Sequence, residues 1–535
     1  MANLSVPKNL ELAEPINPDM PWIATVGDST PLRITPDLVK VLKWHEDGKT
    51  APLVDYVGVE LDDDQLNEAV EVLKQFNLLT TDDPASTGQP AKSRLRLNSL
   101  FSIQFAILNR PANFAWLERF ANRSFLVAAA TINILFAVVG LLAIGLRWGS
   151  FYEALTTPQP PVAVLLLFVF LIVSVSVHEF AHGAVLTYFG GQVRRMGIML
   201  FYLSPAFFCD VTDAWKLQQK NQRALVALAG VNATFGIAGL ATIAYTLIGQ
   251  GQDWLALASL ALYFGSVLNL VPFIKLDGYI ALMTYLDVPN LRARSMDEWK
   301  QAVVALLSGK WQTLAQFRLP AVLFGLAASA TPIVILVMLA TSLAGARAGL
   351  LGAVLGSAIL IVVLALILRG IYRLSTTRIP RESVGTTARL WIAAVSLAST
   401  VAVGFVPVPV SSAGVYWESD GELVTNLEAP TANDARVTLR RDGLFASKPL
   451  GTAIITDEVV DTDMPVQALS PNIKVEGFPT RQSAYRMTSY EGVPIEEPGS
   501  VVFEAPSVPL GYLVLDTITL GFASDFSRFP VQSNK

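Results

Sequence analysis

Residues 178–183 read HEFAHG inside an otherwise apolar run, PPVAVLLLFVFLIVSVSVHEFAHGAVLTYFGG. On an α-helix, residues four apart differ by about 40° around the axis and about 6 Å along it. His178 and His182 therefore share a face and can offer two imidazole nitrogens to one metal ion. Glu179 is turned about 100° away, so it does not compete as a first ligand but can reach a water held by that ion. This is the mechanical logic of HExxH. Zinc lowers the pKa of a bound water to about 7, and the glutamate takes the proton as general base. Ionisable side chains within an apolar span are rare and default to a functional reading.

A catalytic zinc takes three protein ligands and keeps an open fourth position. The chain has three histidines, and the third, His45, falls in a predicted soluble helix, where it is expected at the surface. The third ligand is then a carboxylate or the single cysteine, Cys209. A later apolar run ends NLVPFIKLDGY (269–279), in which Asp277 stands next to Gly278 and after the helix-breaking Pro272. Asn269 and Lys275 are the other strongly polar groups there. Counted from the outer face at 1.5 Å per residue, His178 lies about 26 Å deep and Asp277 about 35 Å, both toward the cytoplasmic side. A break at Pro272 can close the difference. Asp210 and Asp213 are alternative carboxylates close to the motif. Cys209 reads as a small buried hydrophobe, with a redox sensor or ligand as the sharper alternative.

The elements that position these residues are membrane-like. Of 535 residues 52% are hydrophobic and 16% charged, against about 25% charged in soluble domains. Seven spans are expected near 124–147, 161–188, 224–249, 254–276, 319–344, 349–369 and 388–407, each long enough for a bilayer core of about 30 Å. Loops 189–223, 287–318 and 370–387 carry Arg194, Arg195, Lys216, Lys220, Arg223, Arg292, Arg294, Lys300, Lys310, Arg318, Arg373, Arg378 and Arg381. Loops 148–160 and 250–253 carry no Lys or Arg, and 345–348 carries only Arg347. This asymmetry places the N-terminus in the cytoplasm and the C-terminus outside. Asn232, in the third span, is expected to hydrogen-bond toward the zinc spans, with Gly230, Ala233 and Gly236 serving close helix packing.

Residues 1–83 read as a small cytoplasmic domain of winged-helix type. One helix is capped by Thr35 and Pro36 and stopped at Gly48; a second begins at Asp63 or Asp64 with the stripe Leu66, Ala69, Val70, Leu73 and Phe76. Residues 84–123 join a linker to an interfacial segment rich in Phe, Trp and Arg. The zinc core occupies 124–290 and further spans 291–410. The tail, 411–535, alternates in short segments and reads as an extracytoplasmic β-rich domain. The start of the chain has no basic n-region or apolar h-region, and no ordinary cleavable signal peptide is expected. The net charge of -5 gives no reason to expect nucleic acid as a partner.

HEFAH in one span and an N-x-x-P-x-x-x-L-D-G segment in a later one resemble the site-2 protease family of intramembrane zinc metalloproteases, over about residues 124–290. The resemblance implies one catalytic zinc held by His178, His182 and Asp277, Glu179 as base, and Asn269 supporting substrate or oxyanion. Around this core the chain looks like a bacterial subgroup of peptide zinc metalloproteases that often carry a PqqD-like unit at the N-terminus; the segment 204–234 is similar to theirs. Two departures stand out: Ala229, Gly230, Val231 replaces Ala-Gly-Pro, and no PDZ domain is evident.

The expectation is thus a multi-pass enzyme of the inner membrane cleaving a membrane-inserted or hydrophobic peptide, with an envelope or secretion partner for its C-terminal domain. The competing expectation is a platform that captures and exports a peptide without cutting it. A transporter is a weaker third, since intramembrane acids also mark ion paths.

Overall fold

A computed structural model describes residues 5–7, 10–13, 22–26, 32–47, 52–57, 63–80, 95–99, 102–108, 111–193, 195–201, 204–249, 251–345, 349–377, 385–405, 407–427, 435–495, 497–509 and 511–512. The expected stop at Gly48, the linker 82–93, Arg194, Arg347, Arg378 and Arg381 lie outside them. Two compact units are formed. The first comprises Met1–Leu135, Ile172–Ile237 and Ile280–Asp287; the second comprises Phe136–Leu171, Ala238–Tyr279 and Val288–Lys535.

The N-terminal part opens with three short strands, β1 (Leu10–Ala13), β2 (Trp22–Val26) and β3 (Leu32–Ile34), paired antiparallel in that order. Helices α1 (Pro36–Glu46), α2 (Leu53–Val57) and α3 (Asp63–Gln75) follow. Pro36 starts α1 where its missing N–H is harmless. Ala24 and Ile34 pack with Val39, Val41, Leu42, Leu73, Leu78 and Leu79 in one core. The expected stripe Leu66, Ala69, Val70 lines that core, whereas Phe76 is exposed. His45 is not at the surface as expected: it is 6% exposed, and its Nδ1 lies 3.1 Å from the Val41 carbonyl. Ala24 and Ile34 of the sheet share a core with Val39, Val41 and Leu42 of the same helix, packing that helical periodicity alone does not show.

A second antiparallel sheet orders β4 (Leu95–Ser99), β5 (Ser102–Leu108), β6 (Met196–Phe201) and β7 (Ser204–Cys209). It joins the interfacial segment to the loop after the HEFAH helix, with Met196 opposite Cys209. A 3₁₀ turn, Pro111–Arg119, brings Trp116 to stack on Phe180 at 4.8 Å between ring centroids.

The helices are α4 (Arg123–Leu146), α5 (Trp148–Thr156), α6 (Pro161–Tyr188), α7 (Lys220–Ile248), α8 (Asp253–Leu270) and α9 (Asp277–Leu286). They continue with α10 (Leu291–Leu307), α11 (Trp311–Leu314), α12 (Leu319–Gly345), α13 (Gly349–Thr376) and α14 (Thr386–Gly404). Arg123–Leu146, Pro161–Tyr188, Lys220–Ile248, Asp253–Leu270 and Leu319–Leu339 are long and apolar enough to cross a membrane. The sixth and seventh expected spans fall on helices α13 and α14, which are not among those five in the described residues. The fourth was expected to run to 276, but α8 stops at Leu270. Residues 271–276 are apolar enough to extend a hydropathy window, yet Pro272 has no N–H to give a helix.

The tail closes on itself. Strands β8 (Pro407–Ser419), β9 (Glu422–Thr425), β10 (Ala435–Asp442), β11 (Ser447–Met464), β12 (Thr480–Gly492) and β13 (Gly499–Pro509) form a closed barrel, ordered β10-β11-β12-β9-β8-β13. Tyr416, Val437, Leu439, Ala453, Ile455, Met487 and Val501 fill it. A single turn, α15 (Val466–Leu469), buries Ala468 beside Trp417 and Met464. The barrel docks on α5. Arg441 pairs with Glu153 and donates to the Thr156 carbonyl at 3.1 Å, and Lys448 Nζ lies 3.1 Å from Glu153 Oε2. Leu444, in the β10–β11 turn, packs with Leu155, Leu167, Leu257 and Ala258.

Candidate metal centre

Helix α6 carries HEFAH in its last third and ends in a backbone cap, the Gly191 N–H reaching the Leu186 carbonyl at 3.0 Å while Gly190 takes φ +87°. His178 and His182 are 7% and 5% exposed, and Glu179 is half-buried beside them. Their Nε2 atoms face each other at 3.1 Å.

The partners of the two Nδ1 atoms decide what those Nε2 atoms are. His182 Nδ1 lies 2.7 Å from the Val226 carbonyl, which can only accept, so Nδ1 carries the proton. His178 Nδ1 lies 2.9 Å from Thr234 Oγ1, whose own proton is given to the Gly230 carbonyl at 3.1 Å. His178 Nδ1 is therefore also the donor. These tautomers are assigned from the bonding pattern. Each neutral imidazole then presents an Nε2 lone pair toward the other, an arrangement that a cation between them satisfies. Donors about 2.0–2.1 Å from a tetrahedral zinc stand about 3.4 Å apart, close to the separation found.

Helix α7 supplies this outer layer from one face, with Val226, Gly230 and Thr234 at successive four-residue steps. Gly230 is there for room. A Cβ on it would stand 2.6 Å from His178 Nε2 and closer still to His182 Nε2. The opposite side of α7 holds α4: Asn133 Nδ2 donates to Asn232 Oδ1 at 3.0 Å, and Asn232 Nδ2 reaches the Ala130 carbonyl at 3.4 Å. Asn232 therefore braces the first span and does not bond toward the histidines, contrary to expectation; it is turned about 160° from Gly230 on the helix wheel.

The third donor comes from the break between α8 and α9. Asp277 is the first residue of α9, not the end of a span. The imidazole nitrogens of His178 and His182 and a carboxylate oxygen of Asp277 lie within 4.8 Å of one another. Two features hold Asp277. Gly278 packs on the end of α8, where any Cβ would overlap the backbone of Leu270. At the far end of α9, buried Arg223 bonds Asp287 Oδ1 at 2.7 Å, and Lys220 sits 5.1 Å over the Tyr285 ring. Asn269 is half-buried in the last turn of α8, one residue before the helix ends.

The alternative ligands are used elsewhere. Asp213 is buried, takes the Gln192 N–H at 3.2 Å and pairs with Lys216 at 3.2 Å. Asp210 caps the turn at Thr212 through bonds of 3.1 and 2.5 Å. Cys209 packs under α6, its Sγ 3.5 Å from where a Gly183 Cβ would be. Burial pushes its thiol well above the usual range, and the charges of Glu179 and Asp210 add to this. It is a protonated, packed thiol, in keeping with the blander expectation. Arg195 is buried with its guanidinium 5.8 Å from the centre of the Phe208 ring.

A buried pair of imidazole donors with fixed tautomers, a nearby carboxylate and a half-buried glutamate suit zinc in both donor type and number. Sequence reasoning named the three residues that the structure brings together but missed the α7 layer. The signal was present as Gly230 and Thr234 four residues apart in an apolar helix.

No protein-family profile matches the chain. No solved structure matches it. A curated Bacillus subtilis (strain 168) protein, "Putative peptide zinc metalloprotease protein YydH", is 23% identical over 146 residues, covering 27% of this chain and 56% of that protein. The chain thus spans little more than half the length of the relative it matches. This likeness supports a relation to zinc metalloproteases.

Proposed function

We propose that the chain is an intramembrane zinc metalloprotease of the site-2 type, cleaving a peptide bond in a hydrophobic or membrane-inserted substrate. The observation that carries it is the pair of Nε2 atoms at 3.1 Å, both tautomers fixed, with the Asp277 carboxylate beside them. His178, His182 and Asp277 hold the ion. When bound there, zinc polarises the scissile carbonyl and makes water acidic enough to be deprotonated. Glu179, one residue from the ligand His178, takes that proton and returns it to the leaving amine. Asn269, at the end of α8, supports the peptide carbonyl. The substrate enters unwound, because a helix in lipid keeps its carbonyls bonded to itself. The loop charges support a cytoplasmic N-terminus and an inner-membrane location, with the barrel outside, where it docks to an envelope partner.

Glu179→Gln keeps the side-chain shape and the ligands but removes the base. Membrane and secreted peptide termini from a null strain expressing either form are compared by mass spectrometry. New termini that need intact Glu179, with a loss of about 10²–10⁴-fold in the variant, support proteolysis and name the substrate. Identical termini, with peptide export still dependent on the gene, favour the capture-and-export platform instead.

A further inference from the structure

Residues after α9 also touch the segments on either side of Asp277. Arg292, in the first turn of α10, donates from Nε to the Phe273 carbonyl at 3.2 Å and from Nη2 to the Ala328 carbonyl at 2.9 Å. Its backbone N–H reaches Tyr279 Oη at 3.3 Å. Phe273 lies in the break before Asp277, and Tyr279 lies two residues after it. One residue thus holds both sides of Asp277.

The Ala328 carbonyl accepts Arg292 for an identifiable reason. Pro332 stands four residues later inside α12, and proline has no N–H to complete the helical bond. Ala328 is fully buried, so this carbonyl needs a donor from elsewhere. Gly325, one turn earlier, lets α10 approach closely enough to supply it: a Cβ there would stand 2.5 Å from the Ser295 carbonyl carbon and 2.9 Å from Trp299 Cβ. The Phe273 ring packs on Phe324 at 5.3 Å. The carbonyl left open by Pro332 therefore anchors Arg292, and Arg292 anchors the break.

We propose that Arg292 is a positioning residue for the Asp277 carboxylate, tying the break between α8 and α9 to the carbonyl that Pro332 leaves open in α12. This rests on the reading of Asp277 as third ligand. It makes α10 and α12 part of the metal site's support.

The test is Zn2+ affinity of the full-length protein in detergent, measured by chelator competition, together with the visible spectrum of the Co2+-loaded protein, whose intensity reports coordination. Arg292→Met alone strands the buried Ala328 carbonyl and can unfold α12. The double variant Arg292→Met/Pro332→Ala avoids this, because an alanine in place of the proline restores the helical N–H. The expected result is a loss of a few-fold for Pro332→Ala, whose restored N–H competes with Arg292 for the Ala328 carbonyl, a larger loss of about tenfold or more for the double variant, partial rescue by Arg292→Lys in place of Arg292→Met, and a Co2+ spectrum shifted toward that of Asp277→Ala. A double variant within twofold of the native protein, while Asp277→Ala loses zinc, overturns the role of Arg292 and leaves the metal reading intact. Unchanged zinc binding in Asp277→Ala overturns the metal reading itself.

Discussion

The histidines and the aspartate are brought together by opposite means. His178 and His182 sit within the helical ladder of α6, toward its C-terminal end, and are oriented by a second helix, α7, whose backbone carbonyl, glycine and hydroxyl fall at 226, 230 and 234. Asp277 sits where the ladder fails, between the end of α8 and the start of α9, and is held by Gly278 and distant clamps. Regular helices fix the two donors that must face each other across 3.1 Å. A break in a helix gives the third donor its freedom to approach. The difference teaches where rigidity comes from: the α6–α7 side has it from regular helical geometry, and the Asp277 side borrows it from residues distant in sequence, such as Arg223 on α7.

The largest effect is expected on the rigid side. In Gly230→Ala the new methyl overlaps both imidazoles, and zinc affinity should fall more than about 100-fold. Overpacking costs about 1–3 kcal/mol, partly offset by about 1 kcal/mol gained on removing a glycine from a helix. The fold should therefore survive, and metal analysis beside thermal unfolding separates the two effects. If Gly230→Ala keeps its zinc, the histidine side is softer than described.

Thr234→Val comes next. It removes the acceptor that holds the His178 proton on Nδ1, and zinc affinity should drop about 10–100-fold, with Thr234→Ser restoring it. Equal affinity in the valine variant would show that α6 alone orients His178.

The smallest effect belongs to the barrel, far from the comparison and a control for it. Arg441, then Lys448, hold the Glu153 carboxyl below its ordinary value of 4.5. A depressed carboxylate contributes stability that is present above the unfolded-state pKa and lost as pH falls through the folded one. Barrel docking should thus be constant at neutral pH and weaken below about pH 4.5. Limited proteolysis of the 157–160 connection across that range reads it out. Loosening at neutral pH would contradict the ion-pair account.

Legibility in the sequence followed the same divide. HEFAH was readable because both histidines carry their chemistry in their side chains and the helical period does the rest. Asp277 was readable as the acid closing an apolar run. The α7 layer was missed although Gly230 and Thr234 stand four residues apart, because that spacing names no partner and the Val226 contribution is a backbone carbonyl. Asn232 was assigned the wrong neighbours because composition shows a polar group in a span but not which way it faces. The three strands of the N-terminal sheet run four, five and three residues, too short for a period of two to emerge. Likewise α8 looked longer than it is, because VPFIKL is apolar whether or not it is helical.

The central claim is that His178, His182 and Asp277 hold zinc at the site where Glu179 works. It is tested most directly by zinc content of the purified full-length protein and three variants, His182→Ala, Asp277→Ala and Glu179→Gln. The account predicts about one zinc per chain in the native protein and in Glu179→Gln, and clear loss in the other two. Zinc retained in His182→Ala, or lost in Glu179→Gln alone, would contradict it.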